Sequence, residues 1–391
     1  MSVNLKKTIR IKSLSRRDFL KMAAAGMLAG CTATQQAPAT DVSTTQPEAT
    51  SLPEATAVSP TAMRVPPTLR PTRAPTPTLT PLPAVATRKP EVIKAYQDKA
   101  SKVVHTHHAG VWSGEDLEVN ALRQMLDASI TELTGLNDAQ EAWKALFDPG
   151  ERIAIKVNAF RNSIIWTHPP LVQAVTDALQ QAGIPAENIF VFDYYTSEMQ
   201  EAGYTINQDG PGVRCYGTDG EYTGGFEIVG SKIQLSNILL SCDALINMPV
   251  LKSHMLAGFT FALKNHYGTL SRPDSFHYGD KINKGLPELN ALPAIKDRTR
   301  LIIGDVLEGC LRYGNSWPYW EADYTGDSIL MSFDPVAHDA VGFKVLTDAL
   351  EAQGDSTLAA IGMATPWFEH ATTIGLGTHN ADDMNVVEKR L

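Results

Sequence analysis

Between residues 150 and 335, short apolar runs alternate with helical patterns, and this alternation constrains the fold more than any other feature of the chain. The runs are Arg152–Asn158, Ile189–Asp193, Ala244–Leu251, Leu301–Val306 and Ser328–Phe333. Most are near-continuously apolar, as expected of strands buried on both faces in parallel sheets. Helical spacing appears over Asp116–Leu133, with apolar positions at Leu117, Leu122, Met125, Leu126, Ile130 and Leu133. A second helix is expected over Pro169–Ala182, with Thr167 as cap candidate and Gly183 as stop. A third opens at Asp334-Pro335, with Asp at the cap and Pro at the first position. Strands alternating with helices predict an α/β fold: a layered, mostly parallel central sheet with helices on both faces. The run 152–158, the helix 169–182 and the run 189–193 predict one right-handed βαβ crossover. Ligands of such sheets bind beyond the carboxyl ends of strands, so chemistry is sought there. No period of 20 to 50 residues is visible, which excludes a repeat architecture.

The first 31 residues read as a targeting segment rather than as part of that fold. Lys6, Lys7, Arg10 and Lys12 precede Ser15-Arg16-Arg17-Asp18-Phe19-Leu20-Lys21, a twin-arginine pattern that marks export of a folded protein by the Tat route. The mildly apolar Met22–Ala29 that follows is far shorter than the roughly 20 residues that span a bilayer. Leu28-Ala29-Gly30-Cys31 has the form of a lipobox, which predicts cleavage before Cys31 and lipidation of its thiol. Two acyl chains suffice for stable anchoring. The expected location is therefore outside the cytoplasm, lipid-anchored at the outer face of the cytoplasmic membrane or on the periplasmic side. Residues 32–90 are dominated by Thr, Pro and Ala, as in Pro71-Thr72-Arg73-Ala74-Pro75-Thr76-Pro77. Such a stretch buries too little apolar surface to order itself and predicts a disordered, semi-rigid linker. The folded domain is expected over 91–391.

Charge divides along the same boundaries. Residues 1–31 carry +6 and 32–90 carry +2, so 91–391 carries −17 of the total of −9. A domain this acidic is not expected to bind nucleic acid, and its membrane contact should run through the lipid anchor only. An anionic ligand would need a local basic pocket. Besides Cys31 the chain has Cys215, Cys242 and Cys310, far apart and without any CxxC, which argues against a zinc ribbon or a ferredoxin-type cluster. One disulfide with an odd thiol and three buried thiols fit the sequence equally. GxGxxG, GxxxxGK[ST] and GxSxG are all absent.

The densest chemistry lies in Asp243–Gly268, DALINMPVLKSHMLAGFTFALKNHYG. An apolar run enters Pro249, and Lys252, His254, Gly258, Lys264, Asn265, His266 and Gly268 follow. Lysines beside apolar runs hold an anion or, with depressed proton affinity, act as base or nucleophile. His254 stands two residues past Lys252 and is of the type that shuttles protons near neutrality. The same residues also suit a sheet edge with snorkelling lysines. Lys156 and Asn158 end the run 152–158, Asp305 ends 301–306 and Asp334 ends 328–333. Converging on one edge, they would form a polar cleft. The candidate catalytic residues are Lys252, His254, Lys264 and Asn265, with Lys156, Asn158 and Asp305 as candidate substrate-binding residues.

These segments carry a resemblance. Ile246-Asn247-Met248-Pro249-Val250-Leu251-Lys252-Ser253-His254, then Thr260-Phe261-Ala262-Leu263-Lys264-Asn265 and Gly268, resembles the family called domain of unknown function (DUF) 362. Ile155-Lys156-Val157-Asn158, Thr167-His168-Pro169 and Asp334-Pro335-Val336-Ala337 fit its pattern as well. The resemblance covers about 150–350 and implies no secure reaction. Some members are described as iron–sulfur proteins, and this chain departs from them in lacking the cysteines. His338, where an apolar residue is usual, reads as a capped surface histidine or a functional one.

Other candidates remain. His105-Thr106-His107-His108 is a cluster of imidazoles before Gly110, of a kind that binds zinc or another divalent metal, although no companion carboxylate is near in sequence. His277 could join His254 and His266 in a three-histidine site. Trp317, Tyr319 and Trp320 suit packing or a pocket wall. The cofactor is left unknown. Two classes of function fit: an enzyme acting on a small carboxylate or phosphate through a Lys/His/Asn cleft, and a tethered ligand-binding or redox-partner module using the same cleft without catalysis.

Overall fold

The computed structural model describes residues 100–160, 163–278, 280–313, 319–355 and 365–391. Arg16, Arg17, Cys31, the segment 32–90 and Trp317 lie outside the described residues. The chain runs from β1 (Ser101–His107) through a small hairpin, β2 (Trp112–Ser113) and β3 (Asp116–Leu117), into helices α1 (Val119–Thr134) and α2 (Ala139–Leu146). Strand β4 (Ile153–Lys156), helix α3 (Pro169–Gln181), β5 (Ile189–Phe192) and β6 (Arg214–Cys215) follow, then the hairpin β7 (Tyr222–Ile228) and β8 (Ser231–Ser236). Next come β9 (Ala244–Asn247), β10 (Val250–His254), β11 (Gly258–Thr260), the short helix α4 (Ala262–Asn265) and α5 (Asp280–Ala291). The last elements are β12 (Thr299–Cys310), β13 (Tyr324–Ser332), α6 (Pro335–Ala352), α7 (Thr365–Thr373) and β14 (Met384–Arg390).

Ten strands form one sheet in the order β14-β1-β13-β12-β9-β4-β5-β6, with β10 on β12 and β11 on β10. Pairing is parallel from β12 through β9, β4 and β5 to β6, and between β1 and β14. Strand β13 breaks the rule, lying antiparallel to both β12 and β1. The expected mixed α/β architecture with a largely parallel sheet is therefore present. Successive residues feed opposite cores, as the period of two requires. Ile153 and Ile155 pack with α1, α2 and α3, whereas Ala154 faces the other cluster, with α5, α6 and α7. Ile246 against Leu245, and Ile329 and Met331 against Leu330, divide the same way. Helices thus cover both faces, which is why these strands read as unbroken apolar runs.

Helix α3 connects β4 to the adjacent parallel β5, forming the expected βαβ unit. It stops where expected: Gly183 takes φ 98°, a left-handed conformation that costs glycine little. Its start differs. The cap position is His168, because Thr167 is occupied elsewhere, its Oγ1 donating to the Met248 carbonyl and accepting from the Asn158 amide. Asp334 caps α6 as expected, its Oδ1 accepting from the amides of Val336 and Ala337 at 2.8 and 2.9 Å.

The run Ala244–Leu251 is not one strand but two. Pro249 has no N–H to give to a ladder, so the chain breaks at Met248-Pro249. Both pieces pair with β12 in succession: β9 near Leu301, β10 near Asp305 and Cys310. Consequently β12 runs well past the expected Val306. Among the described residues, no helix is long and apolar enough to cross a membrane.

Candidate functional site

Lys156, at the carboxyl end of β4, is completely buried and has three oxygen acceptors. They are the Val157 carbonyl at 2.6 Å, Asp193 Oδ1 at 2.6 Å and Asn265 Oδ1 at 3.3 Å. Burial lowers its proton affinity, and the Asp193 carboxylate opposes that shift. Asn265 extends the network, its amide donating to the Lys156 carbonyl and to Asn247 Oδ1 at 2.7 Å. Asn247 in turn donates to the Ala262 carbonyl. Lys156, Asn247 and Asn265 therefore tie β4, β9 and α4 together. Gly268 is needed beside them: a Cβ there would lie 2.5 Å from Asp193 Oδ1 and 2.7 Å from Lys156 Nζ. The structure places Lys156 and Asn265 in a clamp that holds the site, with their polar atoms spent on protein partners.

The second cluster is built on β10, β11 and α4. Lys252 and Thr260 are register partners, and His254 shares their face two residues on. Lys252 is buried, and its Nζ donates to Asn158 Oδ1 at 2.7 Å, the Ile165 carbonyl at 3.1 Å and Ser163 Oγ at 3.2 Å. Trp320 lies 5.4 Å beneath the ammonium. Lys264 Nζ donates to His277 Nε2 at 3.2 Å and sits 5.0 Å from the Tyr267 ring. Neither ammonium touches a carboxylate among the described residues. Burial pulls both lysines down to about 7, with Lys156 adding to the effect at Lys252 and Lys252 at Lys264. Three acceptors around Lys252 favour its charged form against that pull. Lys264 has far fewer partners, so the exchangeable proton is better assigned to Lys264.

The histidines here are held neutral. His254 Nδ1 accepts from the amides of Leu256 and Ala257 at 3.1 and 3.2 Å, so the neutral ring carries its proton on Nε2. Burial, Lys264, His277 and Lys252 keep it well below the ordinary histidine range. His254 therefore does not exchange a proton near neutrality by itself. His277, with its ring 5.6 Å from that of His254, is pushed down to about 3 by burial and by Lys264. His266 is likewise pushed down to about 3, and its buried Nδ1 has no partner among the described residues. His277 joins His254 as the sequence suggested, whereas His266 is charge-coupled to Lys156. The Thr260 hydroxyl, opposite Lys252, is buried and has no partner among the described residues. His277 links the two sides of this cluster, contacting Lys264 and stacking on His254, while Tyr267 lies against Lys264 and Tyr313 and Trp320 lie against His254. Trp320 also packs as expected, its indole donating to the Ser253 carbonyl.

Asp305 stands apart from the lysines. It lies within β12 rather than at its end, and one oxygen accepts both the His168 amide and His168 Nδ1 at 2.8 Å. The Leu307 amide takes the other oxygen. The neighbouring carboxylates Asp305 and Glu308 outweigh burial and raise His168 to about 10. His338 is not at the surface: it is fully buried, stacked on Phe261 at 4.5 Å, with Nε2 unpartnered among the described residues. The reason is its position on α6, whose first turns face the sheet. Cys215, Cys242 and Cys310 are three free, buried thiols, and burial pushes them up to about 12, 12 and 11. Sequence reasoning missed two carboxylates that hold the site. Asp193 directly follows β5 and pairs with Lys156, a position the strand-end rule points to. Asp339 accepts the amides of Ala262 and Leu263 and so seats α4, which no local signal announces.

Fold and site together define an α/β domain whose buried lysine centre lies beside the carboxyl end of β4. Residues 153–344 match the family described as Domain of unknown function (DUF362), which supports that family over the stretch holding both clusters. No curated protein sequence matches the chain. Among solved structures, the lactate racemase apoprotein from Thermoanaerobacterium thermosaccharolyticum is similar at 11% identity and TM-score 0.32, covering 55% of this chain and 52% of that one. A protein from Thermotoga maritima is similar at 10% identity and TM-score 0.36, covering 67% and 60%. The chain spans about half and three-fifths of their lengths.

Proposed function

We propose that this chain is an exported, lipid-tethered DUF362 protein whose lysine centre binds a small anion, a carboxylate or a phosphate, and transfers a proton to or from it. One observation carries the reading: Lys252 and Lys264 are both buried, and neither contacts a carboxylate among the described residues. A buried, unpaired ammonium is costly, and an anion removes that cost. Lys264 is the group to hold the charge, with Thr260 and His254 Nε2–H as further donors. His277 accepts from Lys264, which aims the ammonium and gives its proton a neutral neighbour. Asn158 and Lys252 shape the wall, and Lys156 and Asn265 hold it in place. Export rests on Arg16 and Arg17, and tethering on Cys31.

Inorganic phosphate and acetate, titrated calorimetrically at pH 8 in two buffers of different ionisation enthalpy, test the assignment. Binding should draw one proton from buffer, because the anion restores the ammonium of Lys264. Lys264→Met should lose binding while keeping the fold. Binding without proton uptake, or unchanged in Lys264→Met, overturns it. The runner-up, a ligand-capturing module, draws support from the neutral state of His254. It predicts the same proton uptake with no turnover of any bound carboxylate or phosphate ester.

A further inference from the structure

The histidine cluster near residue 105 acquires its missing carboxylate from the opposite end of the chain. Strands β1 and β14 pair in parallel, with His105 opposite Glu388, so both side chains leave the sheet on one face. His107, two residues on, shares that face. His105 Nδ1 lies 2.9 Å from Glu388 Oε1, and His107 Nε2 lies 3.3 Å from Oε2. The two rings are 4.1 Å apart. One ligand atom from each of the three residues falls within 4.8 Å of the others. His108, by contrast, leaves the cluster to meet Gln124.

We propose that His105, His107 and Glu388 bind a divalent transition-metal ion of the zinc class. Two imidazoles and one carboxylate make a borderline donor set suited to such an ion, with a fourth position left to water. The outer contact is in place: His105 Nε2 is 3.0 Å from the Ser328 hydroxyl, so a proton on Nε2 leaves Nδ1 as the ligand atom. Glu388 is exposed on one side, giving the ion an entry path. Arg390 stands opposite His107 on the same strand face and opposes a cation there, so Glu388 must supply the compensating charge. The alternative is a hydrogen-bonded His–Glu cluster with no ion.

The test uses the full, tag-free chain, stripped with chelator and titrated with zinc chloride. His107→Gln and Glu388→Gln change half-buried and exposed side chains, so both variants should fold with unfolding midpoints close to the parent. The expected result is one saturable equivalent in the parent that each substitution weakens at least tenfold. Zinc should also raise the parent's thermal midpoint and leave the variants' unmoved. Cobalt(II) should give the visible absorption of a four-coordinate ion in the parent alone. No saturable binding, or equal affinity and stoichiometry in the parent and both variants, overturns the proposal.

Discussion

Gly268 and Lys264 show how much single positions of the motif determine. At Gly268 the neighbours of a new Cβ would be a buried ion pair, not a flexible surface chain. Gly268→Ala should therefore cost about 1–3 kcal/mol, the usual range for forcing atoms into a packed interior. Urea denaturation of the purified protein measures it, and an unchanged midpoint would show that the Lys156–Asp193 pair yields readily. For Lys264 the quantity is a proton. Its affinity is lowered from the ordinary lysine value to about 7 in the fold. Below about 7 the folded and unfolded chains both hold that proton, and the burial penalty is fully present. Between about 7 and 10.5 only the unfolded chain keeps it, so stability rises with pH. Lys264→Met should remove that rise from the stability curve. His254 provides a separate check: ring nitrogen NMR should report the neutral Nε2–H form at pH 6, and an imidazolium there would contradict the site's electrostatics.

At the scale of elements, the join between β12 and the start of α3 depends on His168 and Asp305. The carboxylate accepts from both the His168 backbone and its ring, across 137 residues of chain. Because His168 is raised to about 10, the pair's contribution is complete below about pH 6.5 and is lost as pH rises through about 10. Asp305→Asn should destabilise by about 3–5 kcal/mol, as expected when one partner of a buried pair is removed. It should also abolish this alkaline loss. A pH-independent change would mean that only the backbone hydrogen bond matters. The broken strand β9–β10 teaches a related lesson. Hydrophobicity along Ala244–Leu251 is continuous, so pattern alone predicts one strand. The missing N–H of Pro249 lets the chain restart on β12 with Lys252 and His254 on a new strand beside the site.

At the scale of the whole molecule, Lys264 and His168 titrate over overlapping windows with opposite signs. The parent curve should be flatter than that of either variant, and comparing all three separates them. The proposed tether is tested at the same scale. Arg16→Lys with Arg17→Lys should retain the chain in the cytoplasm, and Cys31→Ser should release the exported domain from the membrane fraction. Membrane association that survives Cys31→Ser would remove the lipid anchor from the account.

The layered α/β class, the βαβ unit, the Asp334 cap and the segment holding Lys252 to Gly268 were legible in the sequence. Each is written in local terms, as a period of 2.0 or 3.6 residues or a cap beside its helix. Which charge meets which carboxylate was not. Lys156 finds Asp193 across 37 residues, His168 finds Asp305 across 137, and His105 finds Glu388 across 283. Such partners are chosen by strand order and register. A one-residue slip of β14 against β1 would turn Glu388 to the face opposite His105. Burial then sets proton affinity, which is why His254 was expected to titrate near neutrality and the folded chain holds it neutral. Composition and periodicity determined the layers of this protein, and the tertiary packing of strands, helices and loops decided which of its described lysines and histidines meet a carboxylate.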